Sequence, residues 1–249
     1  ADTISMINPK GKAVLRDDII HQLQVISSEK KILSHGVGLS IGTYEGYSND
    51  YIALMDALAS AVNLYWHSEH LGYTVVNGEY INVMLPVNRN EENLTMICDR
   101  VYQLQERYKL PFLLENIAHL LPDYDAHYSD ADFLNRIVQQ TGCGLILDVY
   151  NMACDTFNYG FDIDKFISEL NLRAVREIHL ANGSIYKDKM VDIHSNAVSD
   201  DVLQQTKTIL QKANNVEVIT FELMPEAIPR MGYATIISEL QRLQSFFNL

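Results

Sequence analysis

The sequence predicts a (β/α)8 barrel of the α/β class. Three observations carry that expectation. Short apolar runs alternate with amphipathic stretches along the whole chain, the pattern of strands followed by helices. The length, 249 residues, is what such a barrel requires. And run after run passes from apolar residues to a reactive side chain: "ILSHGVG", "LYWHSEHL", "LLENI", "LILDVYN", "EIHLANG", "VDIHSN" and "ITFELM" each arrive at His, Asp or Glu. A doubly wound sheet is the competing arrangement, but no glycine-rich nucleotide loop follows the first strand.

Taken in order, strands are expected near 3–7, 32–37, 62–69, 111–116, 143–149, 176–181, 189–193 and 217–223. Helices are expected near 17–29, 49–60, 90–108, 129–141, 162–171, 199–213 and 233–247. The helix at 90–108 is the clearest: Leu94, Ile97, Val101 and Leu104 follow helical spacing, and an Asn-Glu-Glu start suits an N-terminus. "TGCG" at 141–144 places a glycine where a helix ends and a strand begins. No low-complexity tract or long linker divides the chain, so one barrel domain over 1–249 is expected. The chain starts almost inside its first strand, which suggests either missing upstream residues or a barrel without a bottom-closing segment.

Composition narrows the function classes. The formal charge of −13 disfavours a phosphate-binding surface, and so nucleic acid as a partner. No apolar run approaches the ~20 residues that span a bilayer, and "ADTISMINPK" lacks the basic start and apolar stretch of a signal peptide. Cys98, Cys143 and Cys154 are an odd, scattered set that suits free thiols in a reducing compartment. A cytoplasmic protein with no membrane partner is the expectation.

In a barrel the C-terminal strand ends converge on one mouth. His35, His70, Glu115 and Asp148 end successive strands, and Asn151 follows Asp148 by three residues. His179 lies on the sixth strand, Asp192 and His194 on the seventh, two apart and so on one face, and Glu222 ends the eighth. Each has a bland reading: a strand-end histidine is commonly a hydrogen-bonded structural residue, and a strand-end carboxylate can cap the next helix. Together, histidines and carboxylates at one mouth would repel and desolvate one another without a cation. One metal ion takes about four to six ligands, so two or three ions with a bridging carboxylate are needed, and Glu115 is placed to bridge. His67 and Glu69 fall on the opposite strand face and read as structural. His119 and His127 lie in the loop after the fourth strand, near substrate or at the surface. His21 reads as solvated, and Cys154 as a small buried thiol.

"SHGVGLSIG", "SEHLGY", "LLENI", "TGCGLILDVYN", "REIHLANG", "DIHS" and "ITFEL", in that order and spacing from about 30 to 225, resemble the DUF692 family, the multinuclear non-heme iron-dependent oxidative enzymes, on a xylose isomerase-like barrel. The resemblance implies that His35, His70 and Glu115 hold one iron, that Glu115, Asp148, His179 and Glu222 hold a second, and that Asn151, Asp192 and His194 hold a third. Related three-metal barrels of the endonuclease IV type have His where this chain has Asn151, so the third site is expected to be the most labile. "HLANG" stands where the family commonly reads "HLAGH", so Gly183 replaces a second histidine. "MINPK" replaces a "HPEN"-like run, and no role follows for residues near Asn8.

The resemblance further implies two irons, with a looser third, in a mixed-valent Fe(II)/Fe(III) state with dioxygen as cosubstrate. Glu115, Asp148 and His179 are the expected catalytic ligands. The substrate would be a cysteine-containing, ribosomally made precursor peptide, delivered by a separate protein that binds its leader. A zinc hydrolase or sugar isomerase on the same barrel is the alternative, and a noncatalytic metal-dependent scaffold is a third reading.

Overall fold

The computed structural model describes residues 4–9, 13–121 and 126–248. The chain forms two compact units. One is built from the residues up to Glu115 with Arg136–Gly144, the other from Asn116 and the loop after it, Asp130–Asn135 and Leu145 onward.

In the first unit, β1 (Ser5–Ile7) and β2 (Ala13–Leu15) pair antiparallel and lead into α1 (Asp17–Ser27). Then come β3 (Ile32–Gly36), α2 (Asn49–Ala61), β4 (Leu64–His70), the β5 (Gly72–Val76) and β6 (Glu79–Pro86) hairpin, α3 (Glu91–Tyr108) and β7 (Phe112–Glu115). β3, β4 and β7 form a parallel sheet whose register puts His35 beside Ser68 and His70 beside Glu115. The α3 expectation holds in detail. Asn90 caps the helix by accepting the Asn93 N–H at 2.9 Å, Glu91 and Glu92 fill the first turn, and Leu94, Ile97, Val101 and Leu104 are all buried. Fully burying each such side chain contributes about 1.5–3 kcal/mol. Phe112, Leu113 and Leu114 are buried consecutively, as they must be where both faces of a parallel sheet are covered.

After α4 (Asp130–Thr141), whose first half belongs to the second unit, that unit runs β8 (Gly144–Asp148), α5 (Val149–Tyr159), α6 (Ile163–Glu169), β9 (Val175–Leu180), β10 (Ser184–Tyr186), β11 (Lys189–Val191), α7 (Asp200–Leu210), β12 (Val218–Phe221), α8 (Ala227–Met231) and α9 (Tyr233–Phe247). β8, β9 and β12 are parallel, with His179 beside both Asp148 and Thr220. Leu145, Leu147, Ile178 and Leu180 are fully buried between the helices. Gly142 (φ 69°) and Gly160 (φ 73°) follow α4 and α5 in the left-handed conformation that ends a helix.

Two expected strands differ in kind. Of segment 3–7, residues 5–7 pair antiparallel with β2, residue 3 lying outside the described residues, and segment 189–193 is reduced to β11, the second arm of a hairpin with β10. Asp192 and His194 therefore sit in the loop after β11, not on a parallel strand. Residues with strand propensity and strand spacing satisfy hairpin and parallel pairing equally well, so period alone does not separate them. Among the described residues, no helix is long and apolar enough to cross a membrane.

Arg100 is the polar residue on which the loop after β3 depends. From α3 its guanidinium donates to the carbonyls of Ile41 at 2.6 Å and Thr43 at 2.5 Å, in a buried setting. Arg100→Met would keep the packing and strand those carbonyls, so stability should fall by about 3 kcal/mol, read as a lower urea midpoint in equilibrium unfolding. An unchanged midpoint would show that the loop closes without the guanidinium.

Candidate metal centre

Strand geometry builds the first half of the site. His35, Ser68, His70 and Glu115 lie at the ends of β3, β4 and β7 in the first unit. The Ser68 hydroxyl donates to the Ser34 carbonyl at 3.2 Å. Its oxygen is thereby left to accept from His35 Nδ1 at 2.9 Å. His70 Nδ1 donates to the Gly36 carbonyl at 3.1 Å. Both rings thus carry a proton on Nδ1, and both turn Nε2 toward one atom, Glu115 Oε2, at 2.9 Å for His35 and 3.6 Å for His70. Glu115 is 1% exposed. Two imidazole nitrogens with in-plane lone pairs and a buried carboxylate oxygen are held together only by positive charge between them: protons when the site is metal-free, a cation when it is loaded. The ligand atoms of this triad lie within 4.8 Å of one another.

The second unit repeats the logic. Asp148, His179 and Glu222 each place one ligand atom within 4.8 Å of the others. His179 Nε2 lies 3.2 Å from Glu177 Oε1, which also accepts the Thr220 hydroxyl at 2.5 Å. On the other side of the ring, Nδ1 faces Glu222 Oε1 at 3.2 Å. A carboxylate behind a ligating histidine fixes its tautomer and raises its basicity. Asp148 does two jobs. It ends β8 and caps α5, accepting the Asn151 N–H on Oδ1 at 2.6 Å.

Asp192 and His194 meet in the loop after β11, with Oδ1 and Nε2 2.7 Å apart. His194 Nδ1 is 3.6 Å from Glu222 Oε2. Glu222 thus lies between His179 and His194, one oxygen toward each, a link that strand order does not reveal. His194 holds a left-handed backbone (φ 43°), costly for a residue with a Cβ and common where a site dictates the conformation. Burial opposes a charge on His194, but the Asp192, Glu222 and Asp148 carboxylates outweigh it and raise its pKa to about 9. Asn151 is 2% exposed. Its Nδ2 donates to the Asn116 carbonyl at 3.1 Å, and its buried Oδ1 meets no hydrogen-bond donor among the described residues. An orphaned amide oxygen and imidazole and carboxylate donors with fixed tautomers fit a divalent metal such as iron, zinc or manganese.

Sequence reasoning passed over Glu177, Ser68 and Asn116. Glu177 had a readable signal: two before His179 on a strand, it shares that residue's face. Ser68 had the same relation to His70. The residues set aside are accounted for. His67 and Glu69 form a buried pair at 3.1 Å, joined by the Tyr51 hydroxyl. His119 is clamped on Asp155, which accepts from its N–H at 2.7 Å and from Nδ1 at 2.6 Å. Burial, then Asp192, Asp148 and Asp155, push the Cys154 thiol far above its ordinary range, so it stays protonated and is no thiolate ligand. At Gly183 a Cβ would stand 2.0 Å from the Val191 carbonyl oxygen, so this backbone has no room for the histidine that the resemblance would put there.

The fold matches that of xylose isomerase-like (β/α)8 barrels. The IOLI protein with a binding zinc atom aligns at TM-score 0.59 and 14% identity, over 92% of this chain and 82% of that one. The 3-keto-D-glucoside 4-epimerase YcjR of E. coli aligns at 0.57 and 14%, over 92% and 85%. The family is given by sequence. The model of the RiPP precursor modification enzymes MbnB/TglH/ChrH matches residues 10–247, and the chain belongs to that family. A UPF0276 protein of Psychromonas ingrahamii is 30% identical over 224 residues, 87% of this chain and 77% of that protein. One from Vibrio parahaemolyticus is 33% identical over 184 residues, 72% of this chain and 64% of that protein. The chain thus spans 64% to 77% of these relatives' length.

Two outcomes follow. Ser68→Ala removes the acceptor that fixes His35 without removing a ligand, so metal affinity at the His35–His70–Glu115 group should fall roughly 10–100-fold, measured by competition with a chromophoric chelator. In chelator-treated protein, His194 has a folded pKa of about 9 against an ordinary 6.5. Its contribution to stability is therefore complete below 6.5 and lost as pH rises through about 9. Melting temperatures should fall across that window in the wild type and less steeply in His194→Gln. Parallel curves would remove His194 as the group responsible.

Proposed function

We propose that the protein is a multinuclear non-heme iron enzyme that uses dioxygen to modify cysteine residues of a ribosomally made precursor peptide. The observation that carries this reading is the pair of histidines, His35 and His70, both fixed on Nδ1 and both aimed by Nε2 at the buried Glu115 carboxylate. Membership of a family of RiPP precursor modification enzymes supplies the substrate class. In this reading His35, His70 and Glu115 hold one ion and Asp148, His179 and Glu222 a second. Asn151, Asp192 and His194 offer a looser third position, because a neutral amide donates weakly.

When bound, iron supplies an open position for a thiolate and electrons for dioxygen. The chain's own residues do the rest. Ser68 and the Gly36 carbonyl hold the first two rings against rotation, and Glu177 holds the third. Fixed donors cost no reorganisation when charge moves in the site. A peptide thiol must lose its proton to bind a cation, and the Asp192 and Glu222 carboxylates, grouped around His194, are placed to take it. The protein's own thiols do not compete: Cys98, Cys143 and Cys154 are buried, and burial first of all raises each pKa. A separate protein that binds the peptide leader completes the proposed system.

The test is oxygen uptake by iron-loaded protein given matched Cys and Ser forms of a precursor peptide encoded beside its gene, with and without the co-encoded candidate partner. Uptake should require iron and the Cys peptide. Equal uptake with both peptides, or turnover by zinc-loaded protein without oxygen, would overturn the proposal in favour of a hydrolase or isomerase.

A further inference from the structure

We infer that Asn116, the residue directly after Glu115, is a positioning residue that aims the Asp148 carboxylate and the Asn151 amide oxygen as ligand atoms. The inference rests on the metal reading above and extends it to a residue outside the ligand set.

Asn116 uses its three polar groups on two residues. Its Oδ1 accepts the Asp148 N–H at 2.9 Å. Its Nδ2 donates to the Asp148 carbonyl at 3.0 Å. Its own carbonyl accepts from Asn151 Nδ2 at 3.1 Å. Asp148 closes the circuit by accepting the Asn151 N–H at 2.6 Å. The paired bonds to Asp148 are what a neighbouring strand would supply, an acceptor for the N–H and a donor for the carbonyl, here from one amide side chain. They fall where the backbone needs them. Asp148 leaves β8 with extended dihedrals (φ −84°, ψ 113°) and α5 begins at the next residue. With the peptide planes on both sides of Asp148 tied to one rigid amide, the direction of its Cα–Cβ bond is set.

The consequence for Asn151 is more specific. Carbonyls only accept, so the atom of Asn151 that meets the Asn116 carbonyl must be the NH2 group. Oδ1 is then turned the other way, and it is the buried oxygen that meets no donor among the described residues. A buried amide oxygen without a partner is unfavourable, and a cation ligated there would remove that cost. Asn116 thus decides which end of Asn151 faces the site. Its geometry also separates positioning from general loop anchoring. The same loop has a second attachment, His119 on the Asp155 carboxylate, whose side-chain hydrogen bonds among the described residues go to neither Asp148 nor Asn151.

Cobalt(II) titration tests this, because its visible ligand-field bands report ligand geometry and need no turnover. Wild-type protein, Asn116→Ala, Asn116→Asp and His119→Gln are titrated with cobalt under a competing chelator. Asn116→Asp keeps an acceptor for the Asp148 N–H but sets an oxygen against the Asp148 carbonyl. If Asn116→Ala does not fold, this variant carries the comparison. The expected result is a roughly 10–100-fold loss of affinity and displaced bands in both Asn116 variants. His119→Gln should keep wild-type affinity and bands even if its melting temperature falls. Wild-type cobalt binding and spectra in the Asn116 variants would overturn the inference while leaving the metal reading intact. Equal losses in His119→Gln and Asn116→Ala would overturn it in favour of loop anchoring. A wild-type protein that binds no cobalt would overturn the metal reading and this inference with it.

Discussion

The structure is organised around a buried carboxylate that two imidazole nitrogens face. Glu115 is taken out of water at the end of β7, and His35 and His70 point their Nε2 atoms at one of its oxygens. Burying a charge against lone pairs is unfavourable by several kcal/mol unless a counter-charge joins them. Three strands and the hydrogen bonds behind the rings hold the donors in place regardless, which supports the proposed ligand role. Here the ring protons are committed to Ser68 and Gly36 on the far side.

The same economy appears in the second unit, where structural and ligand roles fall on the same atoms. Asp148 caps α5 and stands with His179 and Glu222. The familiar objection that strand-end carboxylates cap helices is therefore correct for Asp148 and does not exclude ligation, because a carboxylate has two oxygens. Glu222 spends one on each of two histidines. Behind His179, Glu177 and Thr220 form a further layer that lies wholly within the β9–β12 pairing. The proposed ligands His35, His70, Glu115, Asp148, Asn151 and His179 thus lie on strands or a helix, whose positions are more exact than those of loops, and Glu222 follows directly on β12. Asp192 and His194 are the exception. They lie in the loop after β11, and there the strain of a left-handed histidine is concentrated.

Side chains with reactive potential elsewhere are placed where they do no chemistry. His67 and Glu69 are bonded to each other in the interior, with the Tyr51 hydroxyl of α2 on the Glu69 carboxylate. His119 is spent on holding its loop to Asp155. The cysteines stay protonated by burial. Reactive residue types in a sequence are therefore weak guides one by one, and their neighbours decide.

What the sequence by itself determined was the class of fold and most of the helices, α5 and α8 not being among those expected. Alternation of apolar strands with amphipathic helices is a local property, and α2, α3, α4 and α9 fall where spacing and caps put them, because each helix is specified by residues three or four apart. The histidines and carboxylates at strand ends were legible for the same reason, and the family motifs were legible because they are contiguous. Tertiary structure alone decided which polar atoms meet. That Ser68 accepts from His35, that Glu222 stands between His179 and His194, and that Asn116 holds Asp148 depend on contacts between residues far apart in the chain, 33 residues for the first and 32 for the last. No local period encodes these. It also decided that residues 189–191 pair in a hairpin, since a short β-prone run satisfies its backbone equally against either kind of neighbour, and only the chain folding around it supplies one.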